Sequence, residues 1–319
     1  MPKIIIGIHG LGNKPPKDTL TKWWKDSINE GLKNSSFNLD DFEFDLCYWA
    51  DILHENPLDP EGTDSESENY LSEPYSPFEK ALIKEEPSFR NQALEYIEKY
   101  SDKIFVSGVM SLNIPSLTDM FIHKHFKDLE VYYSLSFINY KGKKRLAREV
   151  ILERLTDLII KHKNKEILLA AHSMGSIIAY DVLMDYLPDD VKINTLITIG
   201  SPLAQKYVIT KINSEKNCRD DCELPVPEKI SYQWFNHYDL EDVVAINNNL
   251  ADYFLPNSNG VSVVDVMVKN NYSYNGKNNP HKSYGYLRTK EFAEVLNSFL
   301  SIESGSIMNW IRNKLKFMN

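Results

Sequence analysis

The sequence has no long apolar run, few cysteines and no excess of basic residues. Among its 319 residues, no hydrophobic stretch approaches the ~20 residues that a membrane-spanning helix needs, and the apolar run at residues 4–8 is too short for a secretory signal. The net charge of −9 argues against a nucleic-acid partner, because proteins bind polyanions through Lys and Arg. We therefore expect a cytoplasmic protein that lacks transmembrane segments.

Cysteines and metal-ligand patterns are also sparse. The three cysteines, Cys47, Cys218 and Cys222, favour free thiols in a reducing compartment over a disulfide framework. Cys218 and Cys222 lack the second pair that a zinc site needs, and no Asp, Glu or Cys stands at a diagnostic interval from His123 and His125. We expect neither a metal ion nor another cofactor.

One stretch has the pattern of a tight turn from a strand to a helix. Residues 167–171 form an apolar run suited to a strand buried on both faces, and residues 174–186 carry apolar side chains at helical spacing. Ala171 and Gly175 lie two positions before and after Ser173. Small residues there let strand and helix pack closely, so that the serine projects above the carboxyl end of the sheet. The alternative is a serine that N-caps an ordinary helix.

Four segments resemble the α/β-hydrolase superfamily, and within it the bacterial serine esterases and lipases whose chain opens on an oxyanion-loop strand. They are residues 4–13, 171–175, 236–244 and 280–284. The resemblance implies an α/β fold, the α/β-hydrolase fold, in which a mostly parallel central sheet is flanked by helices. It also implies a serine, an acid and a histidine in that chain order.

The resemblance identifies Ser173 as the nucleophile and His281 as its general base. His281 follows the last predicted strand and precedes the closing helix, where the superfamily's base is found. His237 is the competitor, but it belongs to the predicted acid loop, and His172 is expected to point away from the nucleophile. An ordinary exposed loop position is the alternative for His281.

The acid is expected between residues 236 and 244. Asp242 precedes Val243 and Val244, which resembles the family's Asp-x-Val form, in which a buried apolar side chain holds the acid in place. Asp239 is less firmly held by its neighbours, and we expect it to bond within a turn. We therefore predict Asp242 as the acid and keep Asp239 as the alternative.

The loop after the first strand is expected to complete the site. The resemblance implies that the backbone N–H groups of Leu11 and Met174 form the oxyanion hole, while Gly10 and Gly12 let the backbone approach the substrate. We interpret His9 as a structural hydrogen-bonding residue of this loop and not as a base. For the oxyanion loop as a whole, the alternative is a plain strand-to-loop turn.

Residues 53–130 are predicted to form an inserted cap or lid. The hydrolase core then comprises residues 1–52 and 131–319. Residues 51–100 contain 13 acidic and four basic residues, a composition that cannot form a core layer. A disordered acidic linker at residues 56–76 is the alternative. The apolar stretch at residues 105–122 is expected to bury the cap against the core, although it is also suited to lining an apolar substrate pocket.

Hydrophobic periodicity predicts the remaining elements. We expect helices at residues 18–33, 143–162, 174–186 and 291–302, and strands at residues 42–49, 194–199, 230–235 and 260–269. Asp18 or Thr19 is expected to cap the first helix. Residues 304–319 have the composition of an interfacial membrane helix, but a helix docked on its own domain shares it, and we favour docking.

These patterns favour a serine hydrolase that cleaves a carboxylic ester of a small-molecule or lipid-like substrate through an acyl-enzyme intermediate. Thioester or amide hydrolysis would use the same residues. A non-catalytic binding protein with the same fold is the alternative from a different class, and the acidic insert would be its interaction surface. The sequence does not disclose the acyl length or the head group.

Overall fold

A parallel β-sheet lies between two layers of helices. The computed structural model describes residues 1–37, 41–78, 128–134, 136–216, 223–245 and 249–301, and the structural statements below refer to those residues. The strands are β1 Lys3–Ile8, β2 Phe44–Cys47, β3 Phe137–Tyr140, β4 Lys143–Leu146, β5 Glu166–His172, β6 Ile193–Ile199, β7 Leu224–Pro225, β8 Ile230–Tyr238, β9 Phe254–Leu255, β10 Val263–Met267, β11 Ser273–Tyr274 and β12 Lys277–Asn278. The α-helices are α1 Lys17–Asn34, α2 Ala50–Leu53, α3 Ala147–Lys161, α4 Met174–Asp181, α5 Lys206–Glu215, α6 Ser283–Leu287 and α7 Lys290–Ser301.

The central sheet has the strand order β10-β8-β6-β5-β1-β2, and each neighbouring pair is parallel. The chain passes from β1 to β2 on one side and returns to β5 on the other. The carboxyl ends of β1 and β5 therefore lie side by side where the strand order reverses, the position at which parallel sheets bind ligands. The predicted parallel sheet flanked by helices is confirmed.

Strand β1 shows how the sheet forms a core on each face. Ile4, Ile6 and Ile8 belong to the apolar cluster that includes α3 and α4, whereas Ile5 belongs to the cluster that includes α1 and α7. Successive side chains of a strand point to opposite faces, so a continuous apolar run fits a strand that is covered on both sides. All four isoleucines are fully buried, and each contributes roughly 1.5–3 kcal/mol through its removal from water.

Helix α1 keeps its predicted apolar face but begins differently. Its buried side chains include the predicted Trp24, Ile28 and Leu32. No side chain caps its N-terminus, because Pro16 occupies the cap position and its carbonyl oxygen accepts the Leu20 N–H at 3.0 Å. The predicted cap at Asp18 or Thr19 is therefore wrong.

The segment before α3 is a hairpin and not the first turn of a helix. Strands β3 and β4 pair antiparallel, with Tyr140 opposite Lys143. Lys141 and Gly142 form the turn between them, with φ angles of 52° and 78°, a conformation typical of two-residue hairpin loops. The predicted helix at residues 143–162 therefore begins only at Ala147.

Three further features differ from the prediction. Strand β8 continues to Tyr238, so His237 belongs to the strand and not to the acid loop. After β10 the chain forms the β11–β12 hairpin, which the sequence pattern did not predict. The helix that follows Ser173 ends as a π-helix at Val182–Tyr186.

The described part of the predicted insert packs against the core. Residues 54–78 follow α2, and the chain returns through a helical stretch at residues 128–133. Asp128 in that stretch is buried, and Tyr132, two residues beyond the predicted insert, is fully buried and donates a hydrogen bond to Asp181 at 2.6 Å. The predictions for residues 105–122, His123, His125, Cys218, Cys222 and residues 304–319 lie outside the described residues. No helix within the described ranges is long and apolar enough to cross a membrane.

Candidate active site

Ser173 stands at a strained turn between β5 and α4. Its φ of 53° and ψ of −128° are unusual for a residue with a side chain, and such a conformation persists only where the surrounding structure enforces it. A Cβ atom on Gly175 would lie 2.8 Å from the carbonyl oxygens of both Ile8 and His9. The close contact between α4 and the end of β1 therefore requires the glycine that the sequence places there.

The structure brings Ser173, His281 and Asp242 into one hydrogen-bonded chain. The Ser173 Oγ lies 3.0 Å from His281 Nε2, and His281 Nδ1 lies 3.0 and 2.9 Å from the two carboxylate oxygens of Asp242. Because a carboxylate only accepts, Nδ1 carries the proton, and Nε2 of the neutral ring is the acceptor for the serine O–H. The Asp242 side chain is fully buried, and the His281 side chain is 17% exposed.

Asp242 is held by groups that the sequence did not predict. Val244, the predicted apolar anchor, is only half-buried. Instead the Val244 backbone N–H donates to Asp242 Oδ1 at 2.9 Å, and the Tyr286 hydroxyl donates to Oδ2 at 2.7 Å. Tyr286 is fully buried. Burial and the Asp242 charge raise its pKa well above the ordinary tyrosine value, so the hydroxyl keeps its proton.

Asp239 has the turn role that the sequence predicts for it. Its carboxylate accepts the backbone N–H groups of Asn270 at 2.5 Å and Glu241 at 2.7 Å. Its own N–H donates to the Tyr286 hydroxyl at 3.0 Å. Burial raises the pKa of Asp239. Both carboxylate oxygens of Asp239 therefore accept backbone N–H groups, and it is Asp242 that contacts His281.

Gly200 leaves space for Asp242 and His281 to come into contact. It follows β6 with a φ of 56°, and a Cβ atom on it would lie 2.8 Å from Asp242 Oδ2 and 3.1 Å from His281 Nδ1. A side chain at this position would collide with the pair, and its backbone conformation would also be strained. Glycine is therefore part of the site, although no functional group comes from it.

The two other histidines considered for the site lie in different places. His237 is fully buried in β8 and contacts Phe235 and Phe292, which belong to the core on one face of the sheet. His172 lies against His281, contrary to the prediction that it points away from the site. Its Nε2–H donates to the His281 backbone oxygen at 2.8 Å, and the two ring centroids are 4.8 Å apart. Burial, followed by the neighbouring His281, lowers the pKa of His172 well below the ordinary value, so the ring is a neutral donor.

His9 fixes the first peptide group of the predicted oxyanion loop. Its Nε2 accepts the backbone N–H groups of Trp49 at 3.0 Å and Ala50 at 3.3 Å, so Nδ1 carries the proton and donates to the Gly10 oxygen at 2.8 Å. Burial lowers the pKa of His9, which keeps the ring neutral. The contacts agree with the structural role predicted for this histidine.

The predicted oxyanion donors lie in the loops next to Ser173. A Cβ atom on Gly10 would lie 2.7 Å from the Ser173 Cβ, so the loop passes directly beside the serine. In a trans peptide the N–H points opposite to the C=O, so the Leu11 N–H points away from His9, which holds the Gly10 oxygen. The Met174 N–H is the first of α4 and has no partner within the helix. Among the turn and loop bonds of the described residues, neither amide donates to a backbone carbonyl oxygen.

Residues 73–78, here called the anchor segment, contact the loop that carries His281. Glu73 Oε2 accepts hydrogen bonds from Asn279 Nδ2 at 2.8 Å and from Lys282 Nζ at 3.1 Å. Asn279 Oδ1 in turn accepts the His281 backbone N–H at 3.1 Å. The Tyr272 hydroxyl donates to the Pro74 oxygen at 2.6 Å. The acidic region therefore supports the position of His281 from both sides.

No protein-family model matches this chain, and no curated protein matches it either. Among solved structures, it is similar to an uncharacterized protein from Bacillus cereus ATCC 10987, with 10% sequence identity and a TM-score of 0.31. The similarity covers 93% of this chain and 57% of that protein, so the chain spans little more than half its length. A similarity of this size does not indicate a function, and the geometry around Ser173 is the basis for the proposal below.

Proposed function

We propose that this protein is a serine hydrolase that cleaves a carboxylic ester through an acyl-enzyme intermediate. The observation that carries the proposal is the hydrogen-bonded chain from Ser173 Oγ through His281 to Asp242. A serine hydroxyl is a weak nucleophile until an adjacent base accepts its proton, and the base in turn needs a group that fixes its tautomer. The three side chains have the types and the spacing for these roles.

Acylation begins when Ser173 Oγ attacks the ester carbonyl carbon and His281 Nε2 takes the hydroxyl proton. The carbonyl electron pair moves onto oxygen, and the N–H groups of Leu11 and Met174 are the proposed donors to that oxyanion, each contributing about 3–4 kcal/mol. Asp242 accepts the Nδ1–H and stabilises the imidazolium. The intermediate collapses as the bond to the alcohol oxygen breaks, and His281 returns the proton to the leaving alcohol.

Deacylation repeats these steps with water. His281 Nε2 takes a proton from water, the hydroxide oxygen bonds to the acyl carbon, and the bond to Ser173 Oγ breaks. The proton then passes from His281 to the serine oxygen. The products are a carboxylic acid and an alcohol, and the protein is regenerated.

The proposal includes membership of the α/β-hydrolase superfamily. It is supported by the parallel sheet and by the chain order Ser173, Asp242, His281, which differs from the orders in the chymotrypsin and subtilisin families. It is supported further by the strained turn at Ser173, which follows a central strand and opens a helix.

The test is covalent labelling with a fluorophosphonate, together with hydrolysis of p-nitrophenyl esters of short and long acyl chains. We expect one label per chain, on Ser173, and ester turnover. Ser27→Ala is a matched control, because Ser27 is fully buried in α1 and its hydroxyl donates to the Trp23 carbonyl oxygen; this variant should label normally. Folded wild-type protein that neither labels nor hydrolyses esters would favour the binding protein.

The variants Ser173→Ala and His281→Ala test whether the residues act as one unit. Each should lower turnover by several orders of magnitude, and the double variant should be little slower than either single variant. Additive losses would contradict the shared role. Parallel assays with thioesters and amides of the same acyl group define which bond is preferred.

A further inference from the structure

The Leu11–Gly12 peptide group is held at both ends. Its N–H donates to Asp128 Oδ2 at 2.7 Å, and its carbonyl oxygen accepts a hydrogen bond from Lys14 Nζ. The same ammonium group donates to the Gly12 oxygen at 2.8 Å. Because a peptide group is planar, contacts on its opposite sides fix its orientation. Gly12 adopts a φ of 82°, in the region that favours glycine, which is compatible with this arrangement.

Asp128 reaches this peptide from a distant part of the sequence. It lies 116 residues after Gly12, where the chain returns from the predicted insert. The residue is 4% exposed, and His54 Nε2 lies 3.4 Å from the same Oδ2 atom. A buried carboxylate must be compensated by hydrogen bonds or opposite charge. Gly12 and His54 give it two such partners, and one of them is a backbone group of the oxyanion loop.

The peptide groups on the two sides of Leu11 are thus fixed independently. His9 holds the Gly10 carbonyl, which belongs to the peptide group that carries the Leu11 N–H. Asp128 and Lys14 hold the next peptide group. When both peptide planes are fixed, the φ and ψ angles of Leu11 have no remaining freedom. If Asp128 is removed, the Leu11–Gly12 peptide group keeps only its Lys14 contact, and the orientation of the Leu11 N–H then depends on the His9 contact with the neighbouring peptide group alone.

We propose that Asp128 is a positioning residue that directs the Leu11 N–H into the oxyanion hole by holding the Leu11–Gly12 peptide. The inference depends on the proposed hydrolase function for its effect on rate. It also assigns a second role to the end of the insert, because Asp128, near the carboxyl end of the predicted cap, then helps to complete the site that the cap was expected only to cover.

The kinetic test compares Asp128→Ala with Asp128→Asn. The alanine variant should lower kcat about 10- to 100-fold with KM little changed, because a poorly oriented donor loses part of the 10²–10³ that complete removal costs. Its affinity for a boronic acid that mimics the tetrahedral intermediate should fall by the same factor. The asparagine variant should recover kcat to within about threefold of wild type, since its side-chain oxygen still accepts the Gly12 N–H. Asp128→Ser, too short to reach Gly12, repeats the test if the alanine variant does not fold.

Amide hydrogen exchange at Gly12 tests the contact without relying on catalysis. Exchange should become at least tenfold faster in Asp128→Ala and stay slow in Asp128→Asn. Tyr132→Phe is the matched control, because it removes one buried hydrogen bond from the same helical stretch. It should lower the melting temperature and leave both kcat and Gly12 exchange unchanged.

The outcomes separate this inference from the proposed function. Wild-type kcat and slow Gly12 exchange in Asp128→Ala would overturn the positioning role, as would a kcat loss that Asp128→Asn fails to recover. Wild-type protein without esterase activity or fluorophosphonate labelling would refute the hydrolase and with it the catalytic part of this inference. The Gly12 exchange result would still decide whether Asp128 holds the loop.

Discussion

Asp239 and Asp242 lie three residues apart, but Asp239 accepts backbone N–H groups whereas Asp242 contacts His281. Asp242→Asn should lower turnover by up to about 10⁴, because the amide favours the wrong tautomer of His281. Asp239→Asn should keep most of the turnover and lose about 1–3 kcal/mol of stability, because its amide group cannot accept both backbone N–H groups. Turnover and thermal melting of the two variants check this. Loss of turnover in Asp239→Asn, with Asp242→Asn near wild type, would reverse the assignment.

His172 offers a second test at the residue scale. His172→Phe keeps a ring beside His281 but removes the donor to the His281 backbone oxygen, so the loop should be held less firmly. A hydrogen bond of about 1 kcal/mol corresponds to a kcat decrease of roughly fivefold.

The pH profile of kcat/KM checks the charge state assigned to His172. Because the pKa of His172 is lowered by burial, the ring is already neutral where an ordinary histidine would titrate. The midpoint of the profile should therefore stay the same in His172→Phe while its height falls. A shifted midpoint would mean that His172 itself titrates in this range.

The sequence predicted the side chains that meet at the site better than the groups that hold them. Ser173, His281 and Asp242 follow from the order of motifs along the chain, and their contacts are present in the structure. Tyr286 and Gly200 were not predicted as part of the site. Their contacts depend on how α6 docks and on the register of β6 with β8, and neither is encoded in a local pattern. Gly200 could have been found from the sequence, since it is a glycine that directly follows β6, the neighbour of the strand that leads to Ser173.

At the scale of elements, the anchor segment should act on His281 through Asn279 and Lys282. Glu73→Ala removes the acceptor for both side chains, and we expect kcat to fall roughly tenfold with a small change in melting temperature. Glu68→Ala is the matched control, because Glu68 is an exposed carboxylate of the same acidic region. Equal kcat values for the two variants would show that the anchor segment does not position the base.

Contacts of this region with the rest of the protein change the effect expected from a deletion of residues 56–76 on ester hydrolysis. If this region were only a lid over the site, its removal would alter the chain-length preference and spare activity on small esters. In the structure the Asn56 oxygen accepts a hydrogen bond from Asn13 at 2.7 Å, and Glu73 holds Asn279. The deletion would therefore disturb both the oxyanion loop and the base loop. Activity on a small ester should fall as well.

Buried elements were predicted more accurately than exposed ones. Strands β1 and β5 contain continuous apolar runs, and β6 is buried along almost its whole length; strands covered on both faces are easily recognised from such patterns. The hairpins β3–β4 and β11–β12 are short and exposed, and each is set by a turn with positive φ angles at Lys141 and Gly142 or at Asn275 and Gly276. Hydrophobic periodicity contains no signal for such turns, so β4 resembled the start of the following helix.

For the whole molecule, Cys47 reports the integrity of the core. Its thiol is buried at the end of β2, and burial raises its pKa to about 12. The folded protein should therefore resist alkylation of Cys47 at pH 8, because the thiolate is the reactive form. The measurement is iodoacetamide labelling of a variant with Cys218→Ser and Cys222→Ser. Labelling should begin at the denaturant concentration where the global unfolding transition begins, and rapid labelling without denaturant would contradict a closed core.

The contacts of the site join parts of the chain that are synthesised at very different times. Ser173 bonds to a histidine 108 residues later, and Glu73 bonds to a lysine 209 residues later. Ribosomes add about 5–20 residues per second, so Ser173 is made roughly 5–20 s before its partner. During that interval the nascent chain contains Ser173 but not yet His281. Acquisition of activity would therefore mark the end of folding, and a chain truncated before His281 would be inert however well its first strands had formed.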